Sequence, residues 1–590
     1  MSTTQSRFHN FLKAAPKTAH PNPERYKWIV LTNTTLGMLM ATIDLSIVLI
    51  AMPDIFRGIG VDPLLPSNTF YLLWMILGFM VVTSVLVVSF GRLGDMYGRV
   101  RMYNLGFALF TLFSLVLAMT WMSGTNAAMF LIIMRLFQGV GAAFLIANSS
   151  AILTDAFPED ERGMALGINQ IAGISGSFLG LVLGGILAPI NWRLIFLVSV
   201  PVGIAGTIWG YTQLREVPFH HDHHVDWPGN ITFAVGLISL MVGVTYGIQP
   251  YGGSTMGWMN PFVLITVLGG IAMLVVFCFL EVRAPEPMFR LSLFRIRAFS
   301  AGSISTLLSS IGRGGLLFIL IIWLQGVWLP LHGYNFVDTP LWAGIAMLPL
   351  TAGFLIAGPI SGYLSDRYGS RPFTIGGMIG AAASFALLGV LPVNFAYWQF
   401  ALLLLMNGIA VGIFAAPNRA SVMNSLPADH RGVGSGMNST FQNSGQVLSI
   451  GIFFTLMIIG LSGTLPGDLY ASLVAHGVPL RDARRVADLP PVSTLFAAFL
   501  GYNPMQHLLG PQVLSHLPAS TQSYLVSRAY FPSVISGAFK HGLQIVCSFA
   551  VVICLFAAAC SGFRGPKITE PVHASDGEDS GLFAEPEDFV

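Results

Sequence analysis

Polar and apolar positions along this 590-residue chain fall into long blocks rather than short alternations. Fourteen apolar stretches recur, each near the roughly 20 residues that a helix needs to cross about 30 Å of hydrocarbon. They are 28–52, 68–91, 102–122, 127–153, 164–188, 193–213, 228–248, 260–282, 299–328, 341–364, 373–392, 397–424, 433–463 and 538–562. Backbone polar groups in lipid have no water to bond, so runs of this length predict helices. The pattern predicts an all-α polytopic membrane protein with fourteen transmembrane helices.

Composition sharpens this reading. Charged residues make up 9% of the chain, where a soluble domain would carry about a quarter. A formal net charge of +2 argues against a nucleic-acid partner, which would want a basic face. An even number of crossings puts both ends on one side. With that side inside, the inner segments hold 19 Lys and Arg, against Arg57 and Arg193 on the short outer connections. The excess predicts that both termini are cytoplasmic. The segment 1–27 has no short apolar core with a cleavage site and reads as a cytoplasmic segment, not a signal peptide. Residues 563–590 read as a disordered, acidic, cytoplasmic tail. The four cysteines (Cys278, Cys547, Cys554 and Cys560) all lie in apolar runs and read as small buried hydrophobes.

Shifted by roughly 270 residues, the chain resembles itself. GRLGDMYG (91–98) meets GYLSDRYG (362–369), and FPEDERGMALGIN (157–169) meets LPADHRGVGSGMN (426–438). Two matches at one offset, in equivalent connections, predict a repeated architecture of the kind used by alternating-access transporters. GRLGDMYGRVR (91–101) packs four charges, Arg92, Asp95, Arg99 and Arg101, into a chain that otherwise avoids them. Its glycines, Gly91, Gly94 and Gly98, permit close backbone approach. Asp95 is expected to pair with a nearby arginine and latch two helix ends at a cytoplasmic gate, with Arg99 and Asp155 beside it. The second copy places Asp366 and Gly369 in the equivalent roles.

GRLGDMYGRVR resembles the G-x-L-x-D-x-x-G-R-x-R signature of the major facilitator superfamily. RLFQGVGAA (135–143) is similar to the family's second signature. GSFLGLVLGG (176–185) is similar to its antiporter signature, G-x-x-x-G-P-x-x-G-G, and supplies the packing glycines Gly176, Gly180, Gly184 and Gly185. IDLSIVLIAMP (43–53) is similar to the first-helix element of the fourteen-helix drug/proton antiporter branch. The resemblance covers about 28–463 plus the last helix. It implies two six-helix bundles with two inserted helices. The N-terminal bundle is 28–213, the insertion with its loops 214–298, and the C-terminal bundle 299–463 completed by 538–562. Leu181 stands where the antiporter signature has proline, so the proline-linked kink is absent.

Four charges lie deep within the apolar runs: Asp44, Arg135, Arg313 and Arg419. Each costs about 2.5–3.5 kcal/mol on insertion scales, which marks it as a functional candidate; the alternative is a structural ion pair or a snorkelling arginine. Asp44 is the one deep carboxylate and the natural seat for a coupled proton. The resemblance associates Arg135 with proton coupling. Asp44 and Arg313 stand 269 positions apart, the offset that superimposes the second pair of repeated connections. They are expected to face each other across a central cavity in at least one state. Arg313 and Arg419 contribute positive charge to that cavity, which points to an anionic or zwitterionic amphiphile.

HHDHH (220–224) resembles a metal tract but has no partner ligands nearby in sequence, and reads as a solvated loop. The segment 464–537 contains apolar runs too short to span and is expected to form an external loop or small cap. The whole predicts a secondary transporter, proton-coupled and exporting a lipophilic or amphiphilic small molecule from the cell membrane by alternating access. Its partners are that substrate, protons and membrane lipid, it is expected to be a monomer, and no cofactor, metal or nucleic acid is called for. A facilitator or lipid exporter without strict antiport is the alternative that Leu181 suggests. A membrane enzyme would need a nucleophile or a His-plus-acid pair near a membrane face, and the sequence offers none.

Overall fold

The computed structural model describes residues 22–62, 64–158, 161–216, 226–285, 287, 289–427, 431–501 and 503–564. The segment 1–21, the HHDHH tract and the acidic tail lie outside the described residues. Fourteen helices are long and apolar enough to cross a membrane. The first six are α1 (Glu24–Ile59), α2 (Thr69–Tyr97), α3 (Arg99–Ala118), α4 (Gly124–Ala156), α5 (Met164–Leu187) and α6 (Leu194–Gln213). Then come α7 (Trp227–Gly247) and α8 (Pro261–Arg283). The last six are α9 (Arg297–Leu331), α10 (Thr339–Ser365), α11 (Ser370–Val390), α12 (Tyr397–Asn424), α13 (Val433–Ala475) and α14 (Tyr530–Gly562). Their even number places the start of α1 and the end of α14 on one side, called here the terminal face.

Local chemistry sets several boundaries. Asn22, Asp226 and Asn260 each accept a backbone N–H at a helix start, and proline follows at the first turn in all three. A proline there removes a donor that the helix leaves unpaired anyway. Gly60 closes α1 with φ 72°, in the left-handed region that glycine enters without penalty.

Helices α1–α6 and α9–α14 form two bundles with the same internal pairings. Contacts α1–α5, α2–α4, α3–α4 and α3–α6 recur eight helices later as α9–α13, α10–α12, α11–α12 and α11–α14. The bundles meet where α5 packs on α10 and α2 on α13. Helices α7 and α8 pair with each other, and α7 leans on both α2 and α13. The inserted pair therefore lies along the seam between the bundles.

Helices α13 and α14 run longer than the apolar stretches that predict them. α13 continues past 463 to Ala475, because Leu465, Leu469 and Leu473 fall on one face and are buried. α14 begins at Tyr530 rather than 538, with Pro532 in its first turn. Between them lie four short helices, Leu480–Ala487, Pro491–Phe499, Met505–Ser515 and Ala519–Val526. Every residue of Pro491–Phe499 is buried. Phe499 meets Phe318 of α9 with ring centroids 5.5 Å apart, and Phe496 stacks on Phe454 of α13 at 5.5 Å. This helix also touches α2, so it sits against both bundles on the side away from the terminal face. α9 passes it through a π-helical turn, Leu324–Trp328.

Candidate functional site

Asp44 on α1 is the hub of a buried polar cluster. It forms an ion pair with Arg135 of α4 through Oδ2, and neither side chain is exposed. Oδ1 accepts a hydrogen bond from Gln138 Nε2 at 2.9 Å. Gln138 lies three residues after Arg135, so both project from one face of α4. Arg135 Nη1 also donates to Gln138 Oε1 at 3.0 Å, and its Nε donates to the Met75 carbonyl at 3.3 Å. The guanidinium lies 4.6 Å from the centroid of the Phe79 ring. Gln138 then donates to Ser114 Oγ on α3 at 2.8 Å. A carboxylate taken out of water keeps its charge only when paired and hydrogen-bonded. Here one guanidinium and one amide do that. Arg135 Nη2 remains buried with no acceptor, so the cluster holds one spare donor.

The expected meeting of Asp44 with Arg313 does not occur in this structure. Both carboxylate oxygens of Asp44 are already engaged inside its own bundle. The repeat makes Arg313 the counterpart of Asp44 within its own bundle, and in this conformation Arg313 lies near Cys554 of α14. The repeat does reproduce the outer part of the network. Asn407 of α12 donates to Ser384 Oγ of α11 at 2.6 Å, matching Gln138 and Ser114 of the first bundle. Arg313 is half-buried near Cys554 of α14 and has no hydrogen bond or ion pair to any described residue. Arg419, also half-buried, donates to Gln170 Oε1 of α5 and so bridges the two bundles toward the terminal face.

The charged connection between α2 and α3 lies at the terminal face. Arg99 Nε donates to Asp95 Oδ1 at 2.7 Å, and Nη1 donates to Asp155 Oδ1 of α4 at 2.6 Å. One guanidinium thus joins the ends of α2, α3 and α4. Gly98 turns the chain with φ 107°, and Gly369 repeats that turn with φ 85°. Each returns its N–H to the carbonyl four residues earlier at 2.8 Å. The side chain of Asp366 lies outside the described residues. Gly91 meets nothing within 4 Å of a Cβ built on it, so its backbone there is not closely approached. Glu216 was not foreseen: its carboxylate accepts the Val100 and Arg101 amides at 3.2 and 3.1 Å and caps α3. Burial pushes the Glu216 carboxyl up from the usual glutamate value, against the lowering effect of those two amides.

The glycines of 176–185 set the distance between helices. A Cβ on Gly176 would sit 2.8 Å from the Leu39 carbonyl, and one on Gly180 2.5 Å from that of Ile43. At Gly184 it would lie 2.9 Å from the Ile47 carbonyl. These three press α5 onto the α1 turns that carry Asp44. Gly185 faces the other bundle, where a Cβ would stand 2.3 Å from Leu341 Cα on α10. Leu181 is buried at the same contact, its carbonyl close to Gly344, and α5 passes it as unbroken helix.

Charge alone led to Asp44 and Arg135, and passed over Gln138 and Ser114. The three-residue spacing of Arg135 and Gln138 was the available signal for the former. Among the described residues no group of three or more His, Cys, Asp or Glu side chains is placed to hold a metal ion.

The sequence model of the Major Facilitator Superfamily matches residues 34–223 and 227–450, which run from within α1 into the first half of α13. The chain belongs to this superfamily. It is therefore a multi-pass membrane transporter and not an enzyme. Its relatives include the riboflavin transporter RibZ of Clostridioides difficile, 28% identical over 73% of this chain and 88% of that protein. The methylenomycin A resistance protein of Bacillus subtilis is 28% identical over 74% and 88%. The tetracenomycin C resistance and export protein of Streptomyces glaucescens is 25% identical over 79% and 84%. These resistance proteins are consistent with a drug-efflux branch. A bacterial homologue of the human lysosomal transporter Spinster, solved in an inward-facing, unoccupied conformation, shares the fold with a TM-score of 0.57. It is 14% identical, with 92% of this chain and 98% of that one covered.

Proposed function

We propose that this transporter exports a lipophilic or amphiphilic small molecule from the cell in exchange for protons, by alternating access between its two bundles. The carrying observation is the sealed Asp44–Arg135–Gln138 cluster. A guanidinium against the carboxylate favours its charged form, whereas burial favours the neutral one. A conformational step that draws Arg135 away lets Asp44 take a proton, and its return expels that proton. In this reading Arg99 with Asp95 and Asp155 forms a cytoplasmic gate, and both chain ends lie in the cytoplasm. The protein works as a monomer in the cell membrane.

The deep charges narrow the substrate class. Arg135 cancels Asp44, while Arg313 and Arg419 have no carboxylate partner among the described residues. The remaining balance is positive, which favours an anionic or zwitterionic amphiphile over a lipophilic cation. Uptake into inverted vesicles of matched anionic, zwitterionic, neutral and cationic amphiphiles tests both parts. Acid-interior vesicles should accumulate the first two classes, and the cations poorly. Accumulation without a pH gradient would favour the facilitator reading, which the unbroken helix at Leu181 supports.

A further inference from the structure

The inserted helices carry an acid pair, Glu281 buried and Asp226 half-buried, that the transport reading leaves unused. Glu281, near the end of α8, is 2% exposed. Its Oε2 accepts the Phe289 N–H at 2.8 Å, whereas Oε1 is buried with no donor. Asp226 caps α7 by accepting the Gly229 N–H at 2.9 Å through Oδ1, and its Oδ2 is likewise buried with no donor. The two unsupplied oxygens converge over Gly229. A Cβ there would lie 2.3 Å from Asp226 Oδ2 and 2.6 Å from Glu281 Oε1. The carboxyl groups are within hydrogen-bonding reach of each other.

Two ionised carboxylates in one buried site repel, and a neighbouring pair of acids settles this by retaining a proton. We propose that Asp226 and Glu281 together bind one proton, forming a second protonation site outside the Asp44 cluster. One carboxyl group donates its O–H to the other, and both stranded oxygens are satisfied. Among the described residues, the charged or titratable groups acting on Glu281 besides Asp226 are Arg92 of α2 and Cys278 of α8. Arg92 also donates to the Pro287 carbonyl. With the proton bound, the pair bears one negative charge, on which Arg92 acts favourably. The occupied pair fixes the connection after α8, because Glu281 holds the Phe289 amide. The Phe289 ring packs 5.5 Å from Phe277 and 5.8 Å from Phe441 of α13, which meets the site with an apolar side chain. Loss of the proton puts two charges side by side and loosens α7, α8 and this connection from the C-terminal bundle.

The test uses full-length protein in lipid, with Asp44→Asn as background so that the cavity acid is silent. Infrared difference spectra should show a protonated-carboxyl C=O band that disappears as pH rises. Glu281→Gln and Asp226→Asn should each abolish that band, because either amide replaces the shared proton as donor and preserves the fold. The thermal midpoint of the background protein should fall as pH rises, since the folded state then gives up a bound proton. In both variants that slope should flatten. A band that survives both substitutions with an unchanged slope would overturn the proposal. So would a midpoint raised by added sodium at fixed pH, which would assign the site to a cation. Transport failure of Asp44→Asn or its absence does not bear on this result, so the two proton sites are tested separately.

Discussion

Arg135 and Asp44 sit on different helices, 91 positions apart, and close on each other with no exposed surface on either side chain. Breaking one member of such a pair strands the other and typically costs about 3–5 kcal/mol. Arg135→Gln alone should therefore lower the thermal midpoint in detergent markedly. Adding Asp44→Asn should restore part of the loss. Additive losses from the two changes would mean that the ion pair does not bind the helices together.

The Arg99 bridge is a different kind of contact. Its carboxylates are partly open, with Asp95 38% exposed and Asp155 17%. Partly exposed pairs of this type are worth about 1 kcal/mol or less. Asp95→Asn should leave stability nearly intact yet shift the population of conformers, read as faster thiol labelling of a cysteine placed at Ile152. Unchanged labelling would show that the bridge holds no gate.

Gly185 presses directly on the α10 backbone, so even a methyl group has no flexible neighbour to displace. Gly185→Ala should push α5 and α10 apart on the side away from the terminal face, at a cost of about 1–3 kcal/mol. A cysteine introduced at the buried Ala343 position, in a cysteine-free background, should then label faster. Equal rates would mean that this contact does not keep that side closed.

Glu216 gives a pH signature outside the membrane spans. Its carboxyl is raised by burial, so the folded protein binds that proton more tightly than the unfolded chain. The stability linked to it is present at low pH and is lost as pH climbs from the ordinary glutamate value through the raised one. Glu216→Gln should flatten the thermal midpoint across that window. An unaltered slope would assign the dependence to other groups.

The helix count and the pairing of bundles were legible because lipid demands long apolar runs and the repeat preserves Gly98 and Gly369 at its turns. The end of α13 was not. The apolar run stops at 463, before Pro466, Gly467 and Asp468, while the buried leucines on either side of these keep the helix going. The buried helix Pro491–Phe499 was hidden for a related reason. An apolar run too short to span gives no sign that two bundles leave a place for it. At the site, the deep charges stood out against a sequence that avoids them. Their partners did not, because Gln138 and Ser114 are uncharged and an offset of 269 residues gives equivalence between halves rather than contact.

The proton role of Asp44 is tested most directly by pH-gradient-driven transport in proteoliposomes of the Asp44→Asn variant. An asparagine can occupy the same space and accept from Gln138 or Arg135, but it cannot take up and release a proton. The account predicts a folded, correctly inserted protein in which an imposed pH gradient drives no substrate accumulation, while the wild type accumulates it. Wild-type accumulation by Asp44→Asn under the same gradient would contradict the account.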